Sequence, residues 1–259
     1  MLTLHPLNNE SFSTDYRLLS TVYFFMTHPF IIAIDGPASS GKSTLSRLLA
    51  RELGLLYLDT GSMYRAVALA VTEAGVNLTD TEAVGEVARR AEIVLEGDPD
   101  SMRVRLGERD VTEAIRTEQI THASSVVSTV SEVRRELVRR QREMGRQGRG
   151  VILNGRDIGT VVFPDADVKF FLTAVPGERA RRRFDEEKVR TQDINYDETL
   201  ADINARDRRD SERVDSPLAI ADDAVVIDTT ELSIEEVFRR MLEVVRERRA
   251  GETVRPAES

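Results

Sequence analysis

The chain contains no cysteine, which excludes a disulfide framework, a thiolate-bound zinc finger and a thiol nucleophile. Its three histidines, His5, His28 and His122, are scattered, so a multi-histidine metal site is not expected. No apolar run reaches the roughly 18 residues that a membrane-spanning helix needs. Acidic side chains outnumber basic ones, 45 to 36, for a net charge of −9. That excess argues against a general nucleic-acid coat while leaving room for a local basic cleft. The expectation is a soluble, cytoplasmic protein with neither a membrane nor a nucleic-acid polymer as partner. Of its 259 residues 41% are hydrophobic, enough for one large domain or two small ones with a sizeable core.

Residues 1–28 carry no sustained period. Their one apolar patch, Val22–Met26, has no basic leader and no small-residue cleavage site, so it does not read as a signal peptide. A disordered extension is expected there, dispensable for activity and stability, with Met26 or a nearby codon as the functional start. From Phe30 the pattern becomes α/β. Ile31–Ile34 is a short continuous apolar run, the mark of a strand buried on both faces. Leu45, Leu48, Leu49 and Leu53 then share a helix face that Gly54 ends. Leu55–Leu58 is the next strand, followed by a helix through Val67 and Val71, which argues for right-handed crossovers in a parallel sheet. Ala91–Leu95 and Met102–Leu106 alternate around the turn Gly97-Asp98-Pro99-Asp100 and read as an antiparallel hairpin. A helix with Val133, Leu137, Gln141 and Met144 on one side follows. Further strands are expected at Val151–Leu153, Val168–Leu172 and Ala224–Ile227. Ser233 with Glu236 is a capping box for the last helix.

Gly36-Pro37-Ala38-Ser39-Ser40-Gly41-Lys42-Ser43 matches G-x-x-x-x-G-K-[ST], and it follows a buried strand and opens a helix, the context that makes this motif specific. Glycines let the backbone approach phosphates, and successive N–H groups converge on their oxygens at the positive end of the helix. Lys42 would neutralise β- and γ-phosphates, and the Ser43 hydroxyl would ligate Mg²⁺. Residues 36–44, Thr44 included, form the expected ATP site. The guanine-reading Asn-Lys-x-Asp of a GTPase is absent. Arginines at what read as strand ends and helix starts (Arg65, Arg134, Arg156, Arg206 and Arg213) suit clamping of a second phosphate. Two phosphate sites side by side imply phosphoryl transfer between nucleotides.

Three further stretches carry a family resemblance. Asp59-Thr60-Gly61-Ser62-Met63-Tyr64-Arg65, Asn154-Gly155-Arg156-Asp157-Ile158-Gly159-Thr160 and Arg206-Asp207-Arg208-Arg209-Asp210-Ser211-Glu212-Arg213 resemble the bacterial cytidylate kinases. The resemblance covers about residues 29–247 and implies a P-loop, adenylate-kinase-like α/β fold with a parallel five-stranded core. It places that core at 29–59, 151–176 and 217–247, a nucleoside-monophosphate region with a small antiparallel insert at 60–150, a lid at 177–216 and a flexible tail at 248–259. It implies transfer from Mg²⁺–ATP to CMP or dCMP. A monomer is expected. Lys42, Arg156, Arg206 and Arg213 would be catalytic. Thr60 and Arg65 would meet the acceptor's phosphate, Ser125, Arg134 and Asp157 its base, and Asp210 its ribose; Tyr64 would also bind CMP, and Arg156, Arg206 and Arg213 would reach its phosphate.

The same residues have plainer readings. Thr60 suits a helix cap, Ser125 lies in a serine-rich stretch with Ser124 and Ser128, and Arg134 lies in a basic run that is mostly a solvated helix face. Residues 178–213 mix acids and bases evenly and read as a helix pair laced with ion pairs. Arg179, Arg182 and Arg183 are unranked lid candidates. The resemblance also exposes a departure: where the family usually has an acidic residue before Gly-Arg-Asp, this chain has Asn154. A same-fold kinase for UMP, dTMP or a sugar acid, and a non-catalytic ATP-sensing module, remain alternatives.

Overall fold

The computed structural model describes residues 28–148, 150–189 and 194–252; the extension expected before His28 and the chain beyond 252 lie outside them. Phe30–Asp35, apolar up to its last residue, forms β1 and is buried along its whole length. A strand covered on both faces belongs inside a sheet. Its partners are β2 (Leu56–Asp59), β6 (Gly150–Asn154), β7 (Val168–Thr173) and β8 (Val225–Asp228). The sheet order is β2-β6-β1-β7-β8, with every pairing parallel. Register sets Asp59 and Ile34 on either side of Asn154, and Asp35 beside Phe171. The polar ends of three strands therefore meet at the carboxyl edge, where open α/β sheets place ligands.

Helices α1 (Lys42–Leu53) and α8 (Ile234–Glu252) cover one face of the sheet. Leu45 and Leu49 of α1 and Val237, Met241 and Val245 of α8 pack on Phe30, Ile32 and Phe170. The other face is closed by Ile158, Val162 and Phe163 against Ile31, Ala33 and Leu153. Each fully buried side chain of this size contributes about 1.5–3 kcal/mol through removal from water.

A second core lies between β2 and β6. There α2 (Thr60–Glu73), α3 (Thr81–Arg90), α4 (Glu118–Val127) and α5 (Ser131–Gly145) join a three-stranded antiparallel sheet. Its strands are β3 (Ile93–Glu96), β4 (Arg103–Leu106) and β5 (Arg109–Asp110). Met63, Val67, Val84, Val104, Val127 and Leu137 are buried in this core. Asp59, Asp80 and Thr117 cap α2, α3 and α4 by accepting from Gly61, Ala83 and Ile120 N–H at 3.1, 3.0 and 3.3 Å. The chain then returns through α6 (Pro176–Lys188) and α7 (Tyr196–Glu212).

The structure departs from the sequence reading in three places. The hairpin carries a third strand, β5, whose two residues are too short to show alternation. The final helix runs to Glu252, past residue 248 where the tail was expected; Arg249 stacks over the Phe30 ring at 4.6 Å and Arg246 reaches Glu52 at 3.5 Å, so these polar turns are docked. Arg206 is inside α7 rather than at a helix start, and Arg213 is that helix's C-cap.

Candidate functional site

The loop from β1 to α1 bends through Gly36 at φ 144° and Gly41 at φ 89°. A Cβ on Gly36 would lie 2.0 Å from the Leu172 carbonyl oxygen, so only glycine fits. Lys42, the first residue of α1, is buried. Its Nζ donates to the Pro37 carbonyl and to Ser40 Oγ at 3.2 Å. Burial, then the neighbouring Arg156, pulls the Lys42 pKa well below the usual lysine range, with Asp35 opposing. An ammonium strained in this way is well matched to an anion.

Ala38 to Thr44 line a cavity of about 1300 Å³, larger than a site for one small ligand usually is. Its opposite wall comes from α2, α5, α7 and the turn after β6. Arg134, in the first turns of α5, donates to Asp157 and to the Ser128 carbonyl at 3.3 Å, and lies 5.5 Å from the Tyr64 ring centroid. Burial pushes the Tyr64 phenol up to about 12, with Arg134 opposing. Asp210 accepts from Arg156 Nε at 2.8 Å and has Arg213 Nη1 at 3.7 Å. Burial alone would raise the Asp210 carboxyl, but Arg156, Arg206 and Arg213 outweigh it and hold it low. Arg65 donates to Asp59 Oδ2 at 2.9 Å. Thr60 donates its hydroxyl to the Asn154 carbonyl at 2.8 Å, leaving its oxygen as an acceptor.

The guanidinium groups exceed the carboxylates that answer them. Arg206 Nε, Arg213 Nη2, Arg134 Nε and Arg65 Nε are all buried without a hydrogen-bond partner. Burial first, then Arg156, pushes Arg206 down to about 9. Arg65, Arg134 and Arg213 keep carboxylates beside their other nitrogens, so Arg206 is the guanidinium most strained by burial and like charge, and it lines the same cavity as the phosphate loop.

Of the residues singled out from sequence, Lys42, Thr60, Tyr64, Arg65, Arg134, Arg156, Asp157, Arg206, Asp210 and Arg213 share this cavity wall. Ser125 stands apart. Helical spacing turns Thr121 and Ser124 of α4 to the cavity, while Ser125 is buried toward α7, its Oγ accepting from Arg209 Nε at 3.1 Å. Among the lid candidates, Arg179 is a brace: it donates to the Ala38 carbonyl at 3.2 Å and to Asp207 Oδ1 at 3.1 Å. Arg182 donates to Thr229 Oγ1 at 2.9 Å, and Arg183 pairs with Glu187, while both line the cavity. Ser43 lies against Asn154, whose Nδ2 donates to Ser43 Oγ at 3.1 Å while its Oδ1 is buried with no partner. Sequence reading missed Arg209 and Asp35. The first hides in a charged helix, and the second reads as one more strand residue.

A glycine-bearing phosphate loop between a central strand and a helix, at the carboxyl edge of a parallel sheet, defines a P-loop nucleotide-binding protein. More narrowly, the chain belongs to the cytidylate kinase family, whose model matches residues 32–247. The chain is 51% identical over 218 residues to the cytidylate kinase of Geobacter sulfurreducens, covering 84% of this chain and 93% of that one. It is 49% identical over 212 residues to that of Bacillus pumilus, covering 82% and 94%. With that of Bacillus subtilis it shares 46% identity over 217 residues, covering 84% and 96%.

Proposed function

We propose that this protein transfers the γ-phosphoryl group of ATP to CMP or dCMP, giving ADP and CDP or dCDP. The observation that carries the reading is the convergence of buried Lys42 and Arg213 with half-buried Arg156 and Arg206 on one cavity of about 1300 Å³. Phosphates from two nucleotides would answer that charge. An acceptor phosphate oxygen is already a nucleophile at neutral pH, so no strong general base is required. It attacks the γ-phosphorus, the bond to the β–γ bridging oxygen breaks, and ADP leaves with that electron pair. Lys42 and the arginines neutralise the spreading charge and hold the two ends in line.

The residue roles proposed here rest on the family resemblance, with a shared cavity wall in support. The loop of residues 36–44 cradles the donor phosphates. Thr60 and Arg65 address the acceptor phosphate, Arg134 and Asp157 the base, and Asp210 the ribose. Arg182 and Arg183 belong to the closing side. The oxygen donors Ser43 Oγ and Asn154 Oδ1 suit Mg²⁺, which takes one or two protein oxygens beside phosphates and water. Both are neutral oxygens, so the phosphates of ATP would supply most of the negative charge that holds the cation. Bound there, it would supply charge neutralisation at the β- and γ-phosphates.

The test is one ADP-release assay with CMP, dCMP, UMP, dTMP and AMP as acceptors. CMP and dCMP are expected to exceed the others by at least about tenfold in kcat/KM, since a mismatched hydrogen-bonding edge leaves buried groups unpaired. Faster turnover of another acceptor would redirect the reading within the fold. ATP binding without acceptor-dependent turnover would replace it with a sensing role.

A further inference from the structure

Asp35 ends β1 one residue before the phosphate loop and is only 5% exposed. Both its oxygens engage the far side of the site. Oδ1 accepts from the Ile158 N–H at 2.9 Å and Oδ2 from the Gly159 N–H at 2.7 Å. Those amides open the π-helical turn Ile158–Val162, directly after Arg156 and Asp157. One other bond from the end of β1 fixes this segment, from Gly155 N–H to the Ile34 carbonyl at 3.0 Å. A single strand end thus sets the course of both the phosphate loop and the turn that carries Arg156 and Asp157.

The chemistry of the clamp is specific. Two N–H donors need two acceptors, which a carboxylate offers; an amide or a protonated acid turns one oxygen into a donor facing an N–H. We propose that Asp35 is a positioning residue that, as a carboxylate, holds the Arg156–Asp157 turn in register with Lys42 and so governs use of the acceptor. This rests on the phosphotransfer reading above.

The charged groups facing Asp35 are Lys42 of α1 and Asp157 of the turn, and the Lys169 stem of β7 packs on Gly159 beside it. Burial raises the Asp35 carboxyl to about 6 against the pull of the two amides. The sign is informative. Because the folded value lies above the unfolded one, ionised Asp35 weakens the fold as pH rises through about 6, while on this proposal it strengthens acceptor use. A merely structural residue would not move the two in opposite directions.

The experiment compares wild type with Asp35→Asn from about pH 5 to 8, reading KM for CMP, KM for ATP, kcat and Tm. At pH 7.5 the variant is expected to raise KM for CMP about tenfold, with KM for ATP changed by no more than about threefold. The variant-to-wild-type ratio, which cancels titration of the substrates' own phosphates, should fall toward one below about pH 6. A pH-independent ratio, or equal effects on ATP and CMP, overturns the proposal. Should the variant not fold, the Ile158 and Gly159 amide shifts in the wild type provide the second reading. A common midpoint near 6 supports the clamp, and no titration between about pH 4.5 and 7.5 contradicts it. A wild type that does not turn over CMP would instead sink the functional reading, leaving the amide titration to test the clamp alone.

Discussion

At the residue scale, the protein's chemistry is concentrated in side chains whose charge the fold does not fully answer. Lys42 is the sharpest case, an ammonium buried against two oxygens of its own loop and beside Arg156. Replacing it with methionine keeps volume and removes the charge. Lys42→Met is therefore expected to retain less than a tenth of the phosphotransfer rate while Tm holds or rises, since the lost charge was strained. Activity above that level would contradict its role. Asn154 is the second case. Its amide donates to Ser43 Oγ, and its buried oxygen has no partner. Asn154→Asp turns that donor into an acceptor for the Ser43 proton, freeing the serine lone pairs for a cation and adding negative charge beside it. A gain of up to about tenfold is expected, equivalent to about 1.4 kcal/mol in the barrier. An unchanged or lower rate across a magnesium titration would count against it.

At the scale of elements, the phosphate loop is held by geometry more than by contacts. Gly36→Ala forces a Cβ to 2.0 Å from the Leu172 carbonyl, so the loop and the end of β7 must separate. A loss of about 2 kcal/mol or more in stability is expected, together with loss of ATP binding; chemical denaturation and a nucleotide titration check both, and a wild-type-like variant would show that the loop is looser than its geometry. This motif was fully legible in the sequence because glycine spacing and the apolar run of β1 are local signals. So were the parallel strands, the hairpin and the capping box, where Ser233 and Glu236 bond reciprocally. What escaped were consequences of packing. The rotation of α4, which aims Ser124 rather than Ser125 at the cavity, depends on how that helix seats on α2. The division of labour among Arg179, Arg182 and Arg183 depends on where α7 and β8 pass. Asp35 gains its partners from residues 158 and 159, far along the chain.

At the scale of the whole molecule, a chain of net charge −9 gathers Lys42, Arg65, Arg134, Arg156, Arg206 and Arg213 on one cavity that acidic side chains also line. Lys42, Arg156 and Arg206 repel one another there, and a bound polyphosphate relieves that repulsion. Mg²⁺–ATP at about a hundred times its Kd should therefore add about 2.7 kcal/mol of stability by linkage alone, visible as a Tm rise of a few degrees. The same addition to Lys42→Met should give a smaller rise; an equal one would place the nucleotide elsewhere. No helix among the described residues is long and apolar enough to cross a membrane. The two hydrophobic cores meet along the cavity, one carrying the phosphate loop and the other Tyr64, Arg65 and Arg134. This shared cavity passes a phosphoryl group from one nucleotide to another. Incubation with CMP and ATP labelled in the γ-phosphate tests it most directly. The label should appear in the β-phosphate of CDP, one equivalent for each ADP formed, with negligible release when CMP is left out. Label appearing as inorganic phosphate at the same rate with or without CMP would contradict it.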